Sequence, residues 1–272
     1  MTSHDVVAIA RRQLGIRAIG HTGTLDPFAT GLLVLVVGAA TRLARFVSGR
    51  AKTYRAEARL GFATSTDDFT GEPLGEPWSG SWPSESAVVG ALENLVGTVR
   101  QRPPNFSAKL VDGVRSYRLA RQGAAVALAE VEVTIASLRL RSYRPPLVEF
   151  DADVGAGTYL RSIARDLGQG LGVGAHLTGL RRERVGGFAV SDAVPLDQVA
   201  PGIAMVPVLQ LVDDLPRVEV SPGEVVAVRH GRPIGTAEGE APVALVEGGD
   251  LIAIAEPKAG RWQPVVVLNG AG

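Results

Sequence analysis

The chain has 272 residues, 46% of them hydrophobic and 21% charged, which is ordinary globular composition and long enough for one large domain or a main domain with a small companion. It contains no cysteine, which excludes disulfides, thiolate catalysis and cysteine-ligated zinc, and its four histidines, His4, His21, His176 and His230, never fall at the i, i+4 spacing of a helical metal site. The formal net charge is zero but unevenly spread: residues 1–60 carry nine Lys/Arg against three Asp/Glu, and residues 186–272 carry five against eleven. The basic part is where a polyanion would sit, although solvated faces alone also produce such asymmetry. No apolar run reaches the roughly 20 residues that span a bilayer, and no basic segment followed by an apolar stretch opens the chain, so a cytoplasmic location without membrane attachment is expected.

In chain order, Val6, Val7, Ala10 and Leu14 recur at helical spacing, with Ser3 as N-cap and Asp5 in the first turn, predicting an amphipathic helix over 3–14. A Gly- and Thr-punctuated loop follows from Gly20 to Gly31, then an apolar run, Leu32 to Val37, that reads as a buried strand. A second helix is predicted over 40–47, and the alternation Tyr54, Ala56, Ala58, Leu60, Phe62 predicts a strand. Residues 64–84 are rich in Gly, Pro, Ser, Thr and Asp and read as an extended loop, with a helix over 86–95 after it. Between Arg100 and Gly123 a second basic stretch interleaves Arg102, Lys109, Arg115 and Arg118 with Phe106 and Tyr117, a mixture suited to phosphates and stacked bases. Strands are expected over 131–141 and 148–154, then a helix over 161–167 with Arg161 and Arg165 on one face. Beyond Gly187 short apolar strands, 225–228, 243–246, 251–255 and 265–268, suggest a small β-rich module, with the boundary among the prolines and acidic residues of 205–217.

The segment Gly20–His21–Thr22–Gly23–Thr24–Leu25–Asp26–Pro27–Phe28–Ala29–Thr30–Gly31 sets a carboxylate between small residues and a proline, which stiffens the chain after it. Asp26 could be a helix N-cap ahead of Pro27, or a turn residue in an Asp–Pro pair. The full segment resembles the catalytic motif of the TruB family of tRNA pseudouridine synthases. The likeness continues in order through Lys52–Thr53–Tyr54, Thr66–Asp67–Asp68, Ser107–Ala108–Lys109, Gly157–Thr158–Tyr159–Leu160–Arg161, Gly174–Ala175–His176–Leu177 and Leu180–Arg181–Arg182. After about residue 215 only the compact β module looks similar to the RNA-binding PUA domain.

The resemblance implies an α/β (α+β) fold: a mixed, largely antiparallel sheet flanked by helices over residues 1–212, then a small PUA-like β-barrel over 213–272. It implies isomerisation of the T-loop uridine of tRNA, a reaction that breaks the N-glycosidic bond, turns the base and rejoins it through carbon, for which a carboxylate able to attack sugar or base is the natural catalyst. Asp26 takes that role, by an adduct with the ribose or by elimination to a glycal. Tyr54, otherwise a core aromatic on its strand, would stand against the flipped base and move a proton late in the reaction. Arg161, which could instead pair with Asp166 or lie in solvent, would form an ion pair with Asp26 and keep it ionised. Asp68 would bond near the extruded base, with Asp67 as its exposed neighbour; Tyr159 and Leu180 would wall the base pocket or serve the core. His21 would stack in the distorted T loop, or be a satisfied turn histidine. Lys109, Arg42, Arg181 and Arg182 suit phosphate contacts.

Family members usually begin with a strand and a Lys-Pro-x-Gly turn ahead of the segment that starts here at Met1, so either the start at Met1 is too late or the protein dispenses with an element that normally pairs at the sheet edge. The acidic tail departs from the basic surface that RNA contact by a PUA-like module calls for. Two rivals belong to other classes: a non-catalytic tRNA-binding or folding protein that needs His21 and the basic surface but not Asp26, and a metal-dependent nuclease or phosphatase using Asp26, Asp67 and Asp68. No G-x-x-x-x-G-K-[ST] loop occurs, no cofactor or metal is implied, and a monomer with tRNA, through its T stem-loop, as partner is expected.

Overall fold

The computed structural model describes residues 1–104 and 129–268, with backbone alone at 110–111 and 114–115. Contacts divide the chain into two units, one comprising Met1–Pro27, Leu33–Gly49 and Ala193–Gly272, the other Phe28–Leu32 and Arg50–Asp192.

The second unit is built on a seven-stranded sheet. Its order is Phe188–Ala189, Ala175–Val185, Lys52–Leu60, Leu147–Val154, Val131–Arg144, Gly97–Gln101, antiparallel at every step, with Thr30–Gly31 joined parallel to Ala175–Val185. The mixed, largely antiparallel sheet is thus as the sequence implied. Period-two alternation puts Tyr54, Ala56, Ala58 and Leu60 on the buried face beside Val148, Phe150, Ala152 and Val154 of the next strand. The Leu160–Gly170 helix lies against Ala175–Val185 and Lys52–Leu60 and buries Leu160, Ile163, Ala164 and Leu167, worth about 1.5–3 kcal/mol for each large side chain. The Glu85–Glu93 helix starts at Ser84, whose Oγ accepts from the Ala87 amide, and lies against Val131–Arg144.

The Ala175–Val185 strand was not legible as one. Register shifts between Leu177 and Gly179 and again between Arg182 and Arg184 reset its alternation, so no period of two survives in the sequence. Residues 64–84 are mostly loop, with a short antiparallel pair, Ala63–Thr64 with Pro73–Leu74.

In the first unit the predicted Ser3–Leu14 helix has those bounds, but its cap is Thr2, not Ser3: Thr2 and Asp5 form a capping box, while Ser3 is buried and its Oγ accepts from the Leu25 amide at 2.9 Å. The apolar run 32–37 does not form one strand. Leu35–Val37 pairs with Ile19–His21 in the first unit, whereas Leu32 belongs to the second unit, where its amide donates to Arg182 O, so the run serves two pairings. The helix expected over 40–47 is a 3-10 turn, Gly38–Leu43, continued by an α turn, Ala44–Ser48.

The tail sheet runs Arg217–Glu219, Val243–Glu247, Asp250–Lys258, Arg261–Val267, the first pair parallel and the others antiparallel. Its order is open among the described residues, in place of the expected closed barrel. The strand read at 225–228 is instead part of the Pro222–Arg229 helix: Ser221 and Glu224 form a capping box and Pro222 occupies the first turn, a local start signal that outweighs four apolar residues in a row. Val225 and Val228 face a core of Val220, Ile234, Leu245, Ile252 and Trp262.

No helix among the described residues is long and apolar enough to cross a membrane.

Candidate functional site

The loop that carries Asp26 is anchored from both ends. Before it, Ile19–His21 pairs with Leu35–Val37, the Thr22 amide donates to Val34 O at 3.1 Å, and Leu25 is held by Ser3. After it, Pro27 and Phe28 form a turn that leads into Thr30–Gly31. Of the two readings of Asp26, the turn is therefore realised and the helix cap is not, because the chain re-enters a sheet within four residues. Asp26 and His21 are partly exposed and belong to the first unit; Tyr54, Asp68, Tyr159, Arg161, Leu180 and Arg181 belong to the second.

Within the second unit the structure brings Asp68 and Arg161 together. Tyr159 caps the N-terminus of the Leu160–Gly170 helix, and its backbone is clasped by Gln101, whose Oε1 accepts from Tyr159 N at 2.9 Å while Nε2 donates to Tyr159 O at 3.2 Å. Arg161 follows in the first turn with its side chain 6% exposed. Its Nη1 lies 3.6 Å from Asp68 Oδ2 and donates to Thr66 O at 3.2 Å. Asp68, 5% exposed, is held by Thr66 Oγ1 at 2.8 Å, by the Thr70 amide at 2.9 Å and by the Thr70 hydroxyl. One residue on from Asp68, Phe69 meets Phe28 edge-on at 5.2 Å, and Phe28 is two residues beyond Asp26 in the chain.

Asp67 is not the exposed neighbour that the sequence suggested. It is 9% exposed, because Arg165, one helical turn beyond Arg161, donates from Nη1 to its Oδ2 at 2.9 Å and covers it. Burial pushes the Asp67 carboxyl above the ordinary carboxylate range, and the Arg165 and Arg161 guanidinium groups pull it back. The Asp166 pairing considered for Arg161 is made by Arg165.

Tyr54 is 7% exposed at the sheet centre, in register with Ala152 on one side and Arg182 on the other. Leu180 is buried opposite Ala56, and it lines a hollow of about 290 Å³ with Arg181, Phe28, Thr30, Arg55 and Glu149. Arg181 is exposed and pairs with Glu183 at 3.1 Å. Arg182 is not a surface cation: it is 1% exposed, and its Nε donates to Leu32 O at 2.7 Å, tying the end of the motif loop to the sheet. Arg42, in the first unit, donates to Val267 O at 2.6 Å. Lys109, Phe106, Tyr117 and Arg118 lie outside the described residues. Among the described residues no three His, Asp or Glu side chains cluster to hold a metal ion.

His176 is 3% exposed, its Nδ1 donates to Phe62 O at 3.0 Å, and its ring sits 4.7 Å from that of Phe62. Burial holds its pKa below the ordinary 6.5, and a depressed folded value means that stability is full above 6.5 and is lost as pH falls toward the folded value. Thermal melts from about pH 7.5 to about pH 5.5 are therefore expected to show Tm falling with acidification, and the fall to be shallower in His176→Asn; equal slopes would refute this.

Residues 11–160 match the TruB family pseudouridylate synthase N-terminal domain, residues 161–206 the tRNA pseudouridylate synthase B C-terminal domain, and residues 215–269 the tRNA pseudouridine synthase II C-terminal region. The chain is 44% identical over 280 residues to the tRNA pseudouridine synthase B of Thermobifida fusca, covering 99% of this chain and 95% of that protein. It is 42% identical over 279 residues to the protein of the same name in Mycobacteroides abscessus, covering 100% and 93%. Among solved structures, a chain of a Cbf5-Nop10-Gar1 complex superposes with a TM-score of 0.73 at 25% identity, over 99% of this chain and 81% of that one. The fold is that of the pseudouridine synthases. Within them, the chain belongs to the TruB family.

Proposed function

We propose that the chain converts the T-loop uridine of tRNA, position 55 in tRNA numbering, to pseudouridine, with Asp26 as the attacking carboxylate. The observation that carries this reading is the uninterrupted Gly20–Gly31 motif in a chain that matches the family over nearly its whole length. Product and substrate are isomers, so the reaction balances without an electron or group donor, and no cofactor is required. The uridine is flipped out of the T loop against Tyr54, at an unstacking cost of a few kcal/mol offset by phosphate and stacking contacts. Arg161 keeps Asp26 ionised, Asp68 orients Arg161, and Tyr159 and Leu180 bound the base. His21, Lys109 and Arg181 contact the RNA. Residues 1–212 act as the catalytic domain and 213–272 as a PUA-like RNA-binding module in a monomer.

Asp67 and Asp68 are each engaged by an arginine, which disfavours the metal-dependent rival. The test is pseudouridine formation in a T-arm stem-loop transcript with EDTA present. Conversion confined to the single T-loop uridine is the expected result; conversion elsewhere or dependence on a divalent ion would overturn the reading, and binding without conversion would favour the non-catalytic rival.

A further inference from the structure

We propose that Arg165 is a positioning residue for this site, acting through Asp67: the Arg165–Asp67 pair fixes the turn that delivers the Asp68 carboxylate to Arg161. The inference rests on the proposed reading of Arg161 and Asp68 and deepens it.

Consecutive side chains of an extended chain point to opposite faces, yet Asp67 and Asp68 both meet the same helix, Asp67 at Arg165 and Asp68 at Arg161. The two arginines are four residues apart and so share a helix face. Both carboxylates reach that face because Asp67 has a left-handed backbone, φ 60°, which rotates Asp68 relative to its neighbour. A non-glycine residue in that region costs about 1–2 kcal/mol, so the turn requires bonds that hold it. On Asp67 they are the Leu177 amide donating to Asp67 O at 3.0 Å, the Asp67 amide donating to Thr64 O at 3.3 Å, and Arg165 on the carboxylate, while Thr64 Oγ1 donates to Asp68 O at 2.7 Å.

Arg165 is built for a fixed role. Besides Asp67, its Nε donates to Asp166 Oδ1 at 2.9 Å and its Nη2 to Arg102 O at 2.9 Å. Ser162 Oγ donates to the same Arg102 carbonyl at 2.8 Å. The helix, the acidic turn and the end of the Gly97–Gln101 strand thereby form one bonded block, with the guanidinium fork at its centre. Arg161 meets the same turn twice, its Nη1 standing 3.6 Å from Asp68 Oδ2 and donating to Thr66 O at 3.2 Å, so a shift of the turn moves both of these contacts.

The test compares Asp67→Asn, Arg165→Met, Arg165→Lys and the Asp67→Asn/Arg165→Met double variant with the wild-type chain. Asn tolerates the left-handed backbone and removes only the charge; Lys keeps the charge but lacks the fork. Thermal melts, T-arm RNA affinity and kcat are measured for each. Misplacement on the ångström scale costs up to about 10²-fold in rate, so kcat is expected to fall roughly ten- to hundred-fold in Asp67→Asn and Arg165→Met, with RNA affinity within about two-fold of wild type. Arg165→Lys recovers part of the rate, and the double variant is no slower than the slower single variant. Folded Asp67→Asn and Arg165→Lys proteins with wild-type kcat, or losses that only track the folded fraction, would overturn the proposal. An inactive wild-type chain would overturn the functional reading itself, whereas an active wild type with unaffected variants removes the positioning role alone.

Discussion

Asp26→Asn is expected to abolish pseudouridine formation, lowering the single-turnover rate on a T-arm transcript by a factor on the order of 10⁴ or more while leaving the fold intact. The amide keeps the volume and the carbonyl acceptor of the carboxylate but carries no negative charge and no useful nucleophilicity, so on the proposed reading the step that breaks the glycosidic bond would lose its attacking group. The loop has anchors that do not use this side chain: the Leu25 amide on Ser3 Oγ, the Thr22 amide on Val34 O, and the Pro27 turn. The variant should therefore melt within a few degrees of wild type and still bind the RNA. Retention of more than about one per cent of the wild-type rate would remove Asp26 from the chemistry.

Gly31→Ala is expected to cost much of the protein's stability, because steric overlap and a left-handed backbone coincide there. Gly31 closes the motif with φ 94°, and a Cβ there would fall 2.3 Å from Arg182 O and 2.8 Å from Arg182 N. Both are backbone atoms of a strand paired to Lys52–Leu60, and Arg182 is itself buried with its Nε on Leu32 O, so the neighbour has nowhere to yield. Overpacking and the left-handed strain together amount to about 2–5 kcal/mol, or a fall in Tm of roughly 4–20 °C, with activity lost as the motif pulls off the sheet. Gly15→Ala separates the two contributions: Gly15 is also left-handed, at φ 70°, but a Cβ there meets nothing within 4 Å, so only about 1–2 kcal/mol should be lost. Comparable melting points for the two variants would show that the steric clash with Arg182 is relieved.

What the sequence determined by itself is whatever repeats locally. The bounds of the Ser3–Leu14 helix follow from a 3.6-residue apolar period, the Tyr54–Leu60 face from a two-residue one, and the Gly20–Gly31 motif and its order with Tyr54, Asp68 and Arg161 are read directly along the chain. The pairing of Arg161 and Arg165 on one helix face was legible for the same reason, since a spacing of four is a local property. Even the Pro222–Arg229 helix had its signal in Ser221 and Glu224, masked by a short apolar run that suits strand and helix alike.

Tertiary structure alone decided which carboxylate each arginine meets. Asp67 looked solvated because nothing within its own loop covers it; the covering side chain comes from Arg165, 98 residues away. Arg182 looked like a surface cation because its neighbours are charged, but the carbonyl that receives its Nε, Leu32 O, lies 150 residues away. Thr2 took the helix cap because Ser3 was drawn inward to hold Leu25. Periodicity records which face of an element is apolar, whereas the burial of a charge depends on a partner brought in by another element, and that partner leaves no mark on the sequence around it.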